Sequence, residues 1–418
     1  MNIVRAGAWS ALGTAARLGA ALVVVKLVAW LAGPVGVGRL GQFMSLMSLL
    51  AVFAGGGIHA GVVKYVAQYR HDPARLSRLL SSALAYAIAA SCLMGCLALL
   101  FSRPLAEALL GDAGYEGLIR VLAMALVGIA LVNYLLAVIN GFMDVRRLAL
   151  VQVAGSLLSV ALALGLAHAW GVYGALLALV LGQLLWLVVG LPAWWRSPYF
   201  DPSMLRARFD ARMTRRLAAF SAMSLTSALL PPLVNIAVRD HLAASFGWDQ
   251  VGYWQAVTRV SDAYLLFVTS AINVYYLPRL AGTTDPAAIG HELRQAWRWL
   301  MPAVVAMALA IYVLRDVVTR LLFSGDFAAA NDLYAPQLCG DVIKIAAFVM
   351  SYLMLAKAMT RLYVVSECAF ALSYLVLVHV GAARFGLVGA MYAFVVNYLA
   401  YLAFNAVVVR RYLAGGAR

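Results

Sequence analysis

The chain has 418 residues, of which 65% are hydrophobic and only 12% charged, with 32 Lys+Arg against 17 Asp+Glu. About a quarter of a soluble domain is charged, so an ordinary soluble fold is excluded. The unbroken apolar runs reach about 20 residues, which excludes membrane barrel strands alternating over about ten. The net charge of +15 reads as loop arginines that set membrane topology, not as a nucleic-acid surface.

Every backbone polar group in hydrocarbon needs an internal partner, so the spans are helices and the expected fold is all-α and polytopic. Apolar runs and polar punctuation predict twelve spans, near 8–32, 42–68, 79–101, 118–140, 148–168, 171–194, 214–238, 251–277, 297–314, 334–356, 362–381 and 385–409. The first carries Arg17 and Lys26, which excludes a cleavable signal peptide. After it, Gly36-Val37-Gly38-Arg39-Leu40-Gly41 matches GxGxxG. No strand precedes that motif and the next acidic residue is Asp72, so it reads as a periplasmic turn. The second span carries Lys64. Cys92 and Cys96 share a face of the third, and with Cys339 and Cys368 they sit in apolar segments and complete no metal set.

The longest basic loop, RSPYFDPSMLRARFDARMTRR, follows the sixth span. It divides the chain into an N-terminal lobe 1–195, a cytoplasmic linker 196–213 and a C-terminal lobe 214–418. The eighth span carries Arg259 and Asp262, and the tenth carries Asp341 and Lys344. Glu367 lies about five residues into the eleventh, an interfacial depth. His291-Glu292 has no second His at metal spacing, and no Walker lysine motif exists. No cofactor is expected.

Twenty Lys and Arg fall at the termini and in loops after even-numbered spans, and seven after odd-numbered spans. Retained positive charge marks the cytoplasm, so both termini are expected there. The chain also repeats once. GVYGAL at 171–176 matches GLVGAM at 386–391, Asp72-Pro73 matches Asp285-Pro286, and Arg103 parallels Arg315, at offsets of 212–215. Six spans per half keep both halves parallel, so a pseudo-two-fold axis along the membrane normal is expected, with a cavity near the midplane.

A charged side chain at the bilayer centre costs about 2.5–3.5 kcal/mol on insertion scales. Arg259 and Asp262, and Asp341 and Lys344, stand three apart and can neutralise one another on one helix face, or serve coupling. Arg17, Lys26 and Lys64 have no acidic residue in any first-half span. Snorkelling to the headgroups suits Lys64 better than Arg17. Arg17 and Lys26 are nine apart, about half a turn out of phase, so they share a cavity only if the helix bends, with Gly19 as a candidate. Cations held in a water-poor cavity call for an anion such as a phosphate. An exporter of organic cations calls for acidic residues there instead. A membrane polymerase or ligase calls for a sizeable outward loop with acid–base residues, which the short loops at 102–117 and 315–333 do not offer.

GGGIHAGVVKYVAQYRHDP at 55–73, SFGWDQVGYWQAVTRVSDAYLLF at 245–267, YYLPRL at 275–280 and GDVIK at 340–344 resemble the Wzx-type polysaccharide flippases, closest to the lipid III flippases of enterobacterial common antigen synthesis. That family is similar to the multidrug/oligosaccharidyl-lipid/polysaccharide superfamily. The resemblance implies two six-helix lobes and alternating access, carrying an undecaprenyl-pyrophosphate-linked oligosaccharide from the cytoplasmic to the periplasmic leaflet of the inner membrane. It implies a polymerase complex as neighbour, membrane lipid as surroundings, and no nucleic acid. Lys26, Lys64, Asp262, Asp341 and Lys344 stand where charged positions of the family are expected. Arg259 matches no family position with assurance and joins Arg17, Lys26 and Lys64 as a head-group ligand on charge alone.

Overall fold

A helix rises about 1.5 Å per residue and the hydrocarbon core is about 30 Å thick, so one crossing uses about 20 residues. In the computed structural model the first helix, α1 (Ile3–Ala54), has 52 residues and therefore makes two crossings. It bends at Gly33, whose φ of 56° is a backbone state that side chains disfavour, and Pro34 opens the second leg. Two expectations change here. Gly19 lies in regular helix and is not the bend, and Gly36–Gly41 is helical and not a turn, because Gly33 and Pro34 have already turned the chain.

The structure describes residues 3–55, 57–200, 210–272, 276–283, 285–357 and 359–415; 201–209 of the expected linker lie outside them. After α1 come α2 (His59–Tyr69), α3 (Pro73–Leu100), α4 (Ser102–Leu110), α5 (Glu116–Gly141), α6 (Val145–Trp195) and α7 (Ala211–Phe246). Then follow α8 (Trp248–Ala271), α9 (Leu277–Gly282), α10 (Pro286–Val313), α11 (Arg315–Leu322), α12 (Tyr334–Ala356), α13 (Thr360–Phe385) and α14 (Leu387–Gly415). Eight described helices are long and apolar enough to cross a membrane. Two of those, α1 and α6, are bent double crossings, and α7 and α8 bring the legs to twelve.

The repeat is visible in the caps and bends. Asp72 and Asp285 each accept a hydrogen bond from a backbone N–H three residues on, at 3.0 and 2.8 Å, and Pro73 and Pro286 begin α3 and α10. The bend inside α6 is at Gly171 (φ 57°), and Gly386 (φ 65°) separates α13 from α14 at an offset of 215. The segments read as outward loops carry α4 and α11, again one per half.

Packing divides the chain into two compact units, Met1–Ala32 with Arg39–Ile236, and Gly33–Gly38 with Ala237–Arg418. In the first, α5 packs on α2, α3 and α6, around a core that includes Val62, Val66, Leu79, Leu135 and Val138. In the second, α14 packs on α12 and α13, and α10 on α12, around Leu265, Ile272, Ile345, Val349 and Leu353. Both units also expose large apolar side chains and bury some polar ones. Leu100 is 73% and Leu372 65% exposed, while Gln42 and Asp341 are fully buried. An apolar outer surface, with the few intramembrane polar groups turned inward, is the arrangement that a lipid solvent selects.

Candidate functional site

Polar residues spaced four and then three apart fall on one helix face, and the second unit uses that spacing three times. Gln255, Arg259 and Asp262 line one face of α8, Gln337, Asp341 and Lys344 one face of α12, and Phe394, Tyr398 and Tyr401 one face of α14. Asp341 is fully buried and accepts from the Tyr264 hydroxyl at 2.9 Å and from Gln337 Nε2 at 3.0 Å. Its carboxylate is therefore satisfied by neutral donors. Lys344, one turn on, acts on it through space and does not close the direct i,i+3 ion pair that the spacing allows. The Lys344 ammonium stands 5.6–5.7 Å from the ring centres of Phe348, Phe394 and Tyr398. Three aromatic faces around one cation replace part of its lost hydration.

The sequence placed Arg239 in a loop. It is instead inside α7, which runs on to Phe246, and is 3% exposed. Its Nε donates to Gln255 Oε1 at 2.7 Å and its guanidinium lies 5.4 Å from the Trp254 ring centre. Arg259, which is half-buried, and Asp262, which is exposed, are both within electrostatic reach of Arg239. Glu367, expected at the interface, is half-buried in the unit and accepts from the Tyr401 hydroxyl at 2.8 Å. Asp262, Asp341 and Glu367 all act on Lys344. Arg239, Arg259 and Lys344 thus face three carboxylates, and this polar core is balanced in charge.

The first unit differs. Arg17 and Lys26 on α1 and Lys64 on α2 are all exposed on the unit's surface. Because α1 is straight between them, Arg17 and Lys26 stand on opposite sides and no shared face brings them together. Lys26 lies on an exposed stripe with Leu12, Gly19, Val23 and Trp30. The Lys64 ammonium sits 5.5 Å from the Tyr65 ring centre. Among the described acidic residues of the first half, Asp72 and Asp144 cap α3 and α6, Glu107 lies in α4 and Glu116 begins α5.

The repeat also relates the two units residue by residue. Gln42 and Gln255 are 213 apart, and so are Lys26 and Arg239. Arg239 therefore occupies in the second half the position that Lys26 occupies in the first. The offset was legible in the sequence, and applying it to Lys26 is the signal that finds Arg239. Tyr264, Gln337 and the Lys344 rings carried no comparable signal, since tyrosine and phenylalanine are common in apolar helices. Among the described residues no group of three or more His, Cys, Asp or Glu could hold a metal ion.

Residues 27–332 match the family described as polysaccharide biosynthesis protein. The lipid III flippase of Escherichia coli (strain K12) is 37% identical over 402 residues, covering 96% of each chain, and that of Shigella flexneri matches equally. Among solved structures, an inward-facing multidrug resistance MATE family transporter of the MOP superfamily superposes with a TM-score of 0.78 at 16% identity, covering 96% of this chain and 95% of that one. An outward-facing MATE transporter gives 0.71 at 16% identity, covering 100% and 96%. At that identity the likeness shows the fold alone: all-α, twelve helices, two lobes.

Proposed function

The chain belongs to the polysaccharide biosynthesis protein family, and from that membership we propose that it is a flippase moving a lipid-linked oligosaccharide across the membrane by alternating access. The relatives that span its whole length are flippases and not enzymes. The observation that carries the reading is the set of cations, Arg17, Lys26 and Lys64, that the first unit presents on the exposed faces of otherwise apolar helices. An anionic pyrophosphate head gains charge-assisted hydrogen bonds from such cations, whereas an organic cation is repelled. Substrate contact is assigned to Lys26 and Lys64, with Arg259 on the second unit, and Arg17, on the opposite side of α1 from Lys26, stands outside that set. Asp262, Asp341 and Lys344 form the network that couples the motion.

The head carries about two negative charges, and an inside-negative potential favours its outward movement by about 2.3 kcal/mol per charge per 100 mV. Transport therefore needs no ATP in principle, and proton coupling through Asp262 or Asp341 is the alternative drive. Purified protein in liposomes is expected to move a polyprenyl-pyrophosphate saccharide between leaflets unchanged, faster under an inside-negative potential. Lys26→Ala should slow this at least about tenfold, the value of one lost charge-assisted hydrogen bond, and Lys26→Arg should retain most of it. Transport of organic cations with an immobile head group would favour the antiporter, and elongation of the glycan would favour a polymerase.

The orientation has its own test. With the exposed native cysteines Cys92, Cys96, Cys339 and Cys368 replaced, a cysteine at Gly114 should label from the periplasm and one at Pro198 from the cytoplasm. Labelling of both from one side would reject cytoplasmic termini. A polymerase that consumes the delivered units is the expected neighbour.

A further inference from the structure

The first unit carries a groove that the charged residues above do not touch. It opens between α3, α5 and α6, encloses about 390 Å³, and its walls include Ser81, Ala85, Ile88, Tyr134, Leu191 and Trp194. The Tyr134 hydroxyl is already committed to the Leu80 carbonyl at 3.2 Å, and Ser81 is also engaged. What remains for a ligand is almost wholly methyl, methylene and ring surface. An enclosed apolar cavity of this size can stay dry and vacant. This one opens onto the unit's surface, where Ile88, Leu191 and Trp195 are exposed, so a hydrocarbon chain can lie in it.

A charge stands one helical turn beyond the groove-lining residues of α3. Arg78 is exposed and continues the α3 stripe of Ser81, Ala85 and Ile88 one turn toward the start of the helix. Trp194, 8% exposed, contributes ring surface to the groove wall. A phosphate on the end of a chain in the groove can gain a charge-assisted hydrogen bond from the exposed Arg78 guanidinium, which a neutral chain cannot accept. The start of α3 and the end of α6 lie on the side that the charge count assigns to the cytoplasm.

We propose that this groove holds the first isoprene units of the lipid carrier, with its phosphate at Arg78, in the leaflet from which the substrate is taken. The proposal rests on the flippase reading and adds to it a loading site for the tail and its phosphate, from which the head group passes to the cations named above. A fluid tail would be ordered before translocation, and the saccharide would be held at the membrane surface beside the first unit.

The test uses the full chain in nanodiscs, with undecaprenyl phosphate as probe, undecaprenol as the chain without charge, and phosphatidylglycerol as the competing anionic lipid. Ala85 and Ile88 are exposed at the groove, so Ala85→Trp and Ile88→Trp can fill it without entering the core. Each should weaken undecaprenyl phosphate binding in native mass spectrometry at least about tenfold, because contact with several methylene groups is lost, at unchanged melting temperature. Arg78→Gln should weaken undecaprenyl phosphate about fivefold or more and leave undecaprenol unaffected. Wild-type binding by both filled variants, or equal displacement by phosphatidylglycerol, would overturn the proposal. Head-group movement is followed in parallel. If the wild type binds the probe but moves no head group, the flippase reading fails and the groove stands. If the filled variants bind and transport like the wild type, the groove fails and the flippase reading stands.

Discussion

Gly389→Leu is expected to yield almost no folded protein. A Cβ at Gly389 would lie 1.9 Å from the Gly381 carbonyl oxygen and 2.3 Å from its carbon, so two backbones already touch where α13 and α14 cross. No rotamer relieves a clash with backbone, and the helices would have to separate along their whole contact. The first half repeats the arrangement, with Gly174 against the Leu166 carbonyl at 1.9 Å. The expected loss exceeds about 4 kcal/mol for either substitution, at the far end of the usual range for single changes. Gly165→Ala is the control. Nothing lies within 4 Å of its Cβ position, and a mid-helix Gly→Ala change should stabilise by about 0.5–1 kcal/mol. Thermal melting and monodispersity in detergent decide the matter, and a Gly389→Leu protein melting within a few degrees of the wild type would refute the close approach.

Asp341→Asn, by contrast, is expected to fold and to lose transport by about a hundredfold. The side chain keeps its shape, and its remaining carbonyl can still accept from Tyr264 or Gln337. The other donor is left facing an amide N–H₂, at a cost of about 1–3 kcal/mol. More important is the charge, since Lys344 then retains only Asp262 and Glu367 as acidic neighbours acting on it. Breaking one side of a buried charge network typically costs about 3–5 kcal/mol, which in a moving part appears as a shifted balance between conformations. Tyr264→Phe removes one donor but no charge and should cost only a few-fold. The double variant Asp341→Asn/Lys344→Gln distinguishes the roles. Recovered transport would make the network a structural balance, and persistent loss would make Asp341 a coupling group. Flipping by Asp341→Asn at the wild-type rate would show that the charge is dispensable.

Much of this protein was legible without coordinates, and the reason is the solvent. Lipid demands internally paired backbone and about 20 apolar residues per crossing, so composition and run length determined the helical class and the twelve legs. Those constraints are local in the sequence, as are the Asp-Pro caps of α3 and α10 and the repeat offset near 213. The charged residues at membrane depth were equally plain, because each costs energy wherever it points.

What they touch was decided only in three dimensions. Arg17 and Lys26 part company because the bend of α1 is at Gly33 and not at Gly19. Asp341 is bonded by Tyr264, 77 residues away, and not by Lys344 on its own helix. Arg239 enters the polar core because α7 continues past its apolar stretch, and helix ends are set by packing as much as by composition. The groove beside Tyr134 has no mark in the sequence at all, since Ser81, Ala85 and Leu191 read as ordinary lipid-facing positions until three helices bring them together. The sequence determined that the chain crosses the membrane twelve times and carries charged residues at membrane depth, because those follow from each residue's own transfer energy. The tertiary structure decided which charges meet and where a chain can lie, because those depend on distances between residues far apart along the chain.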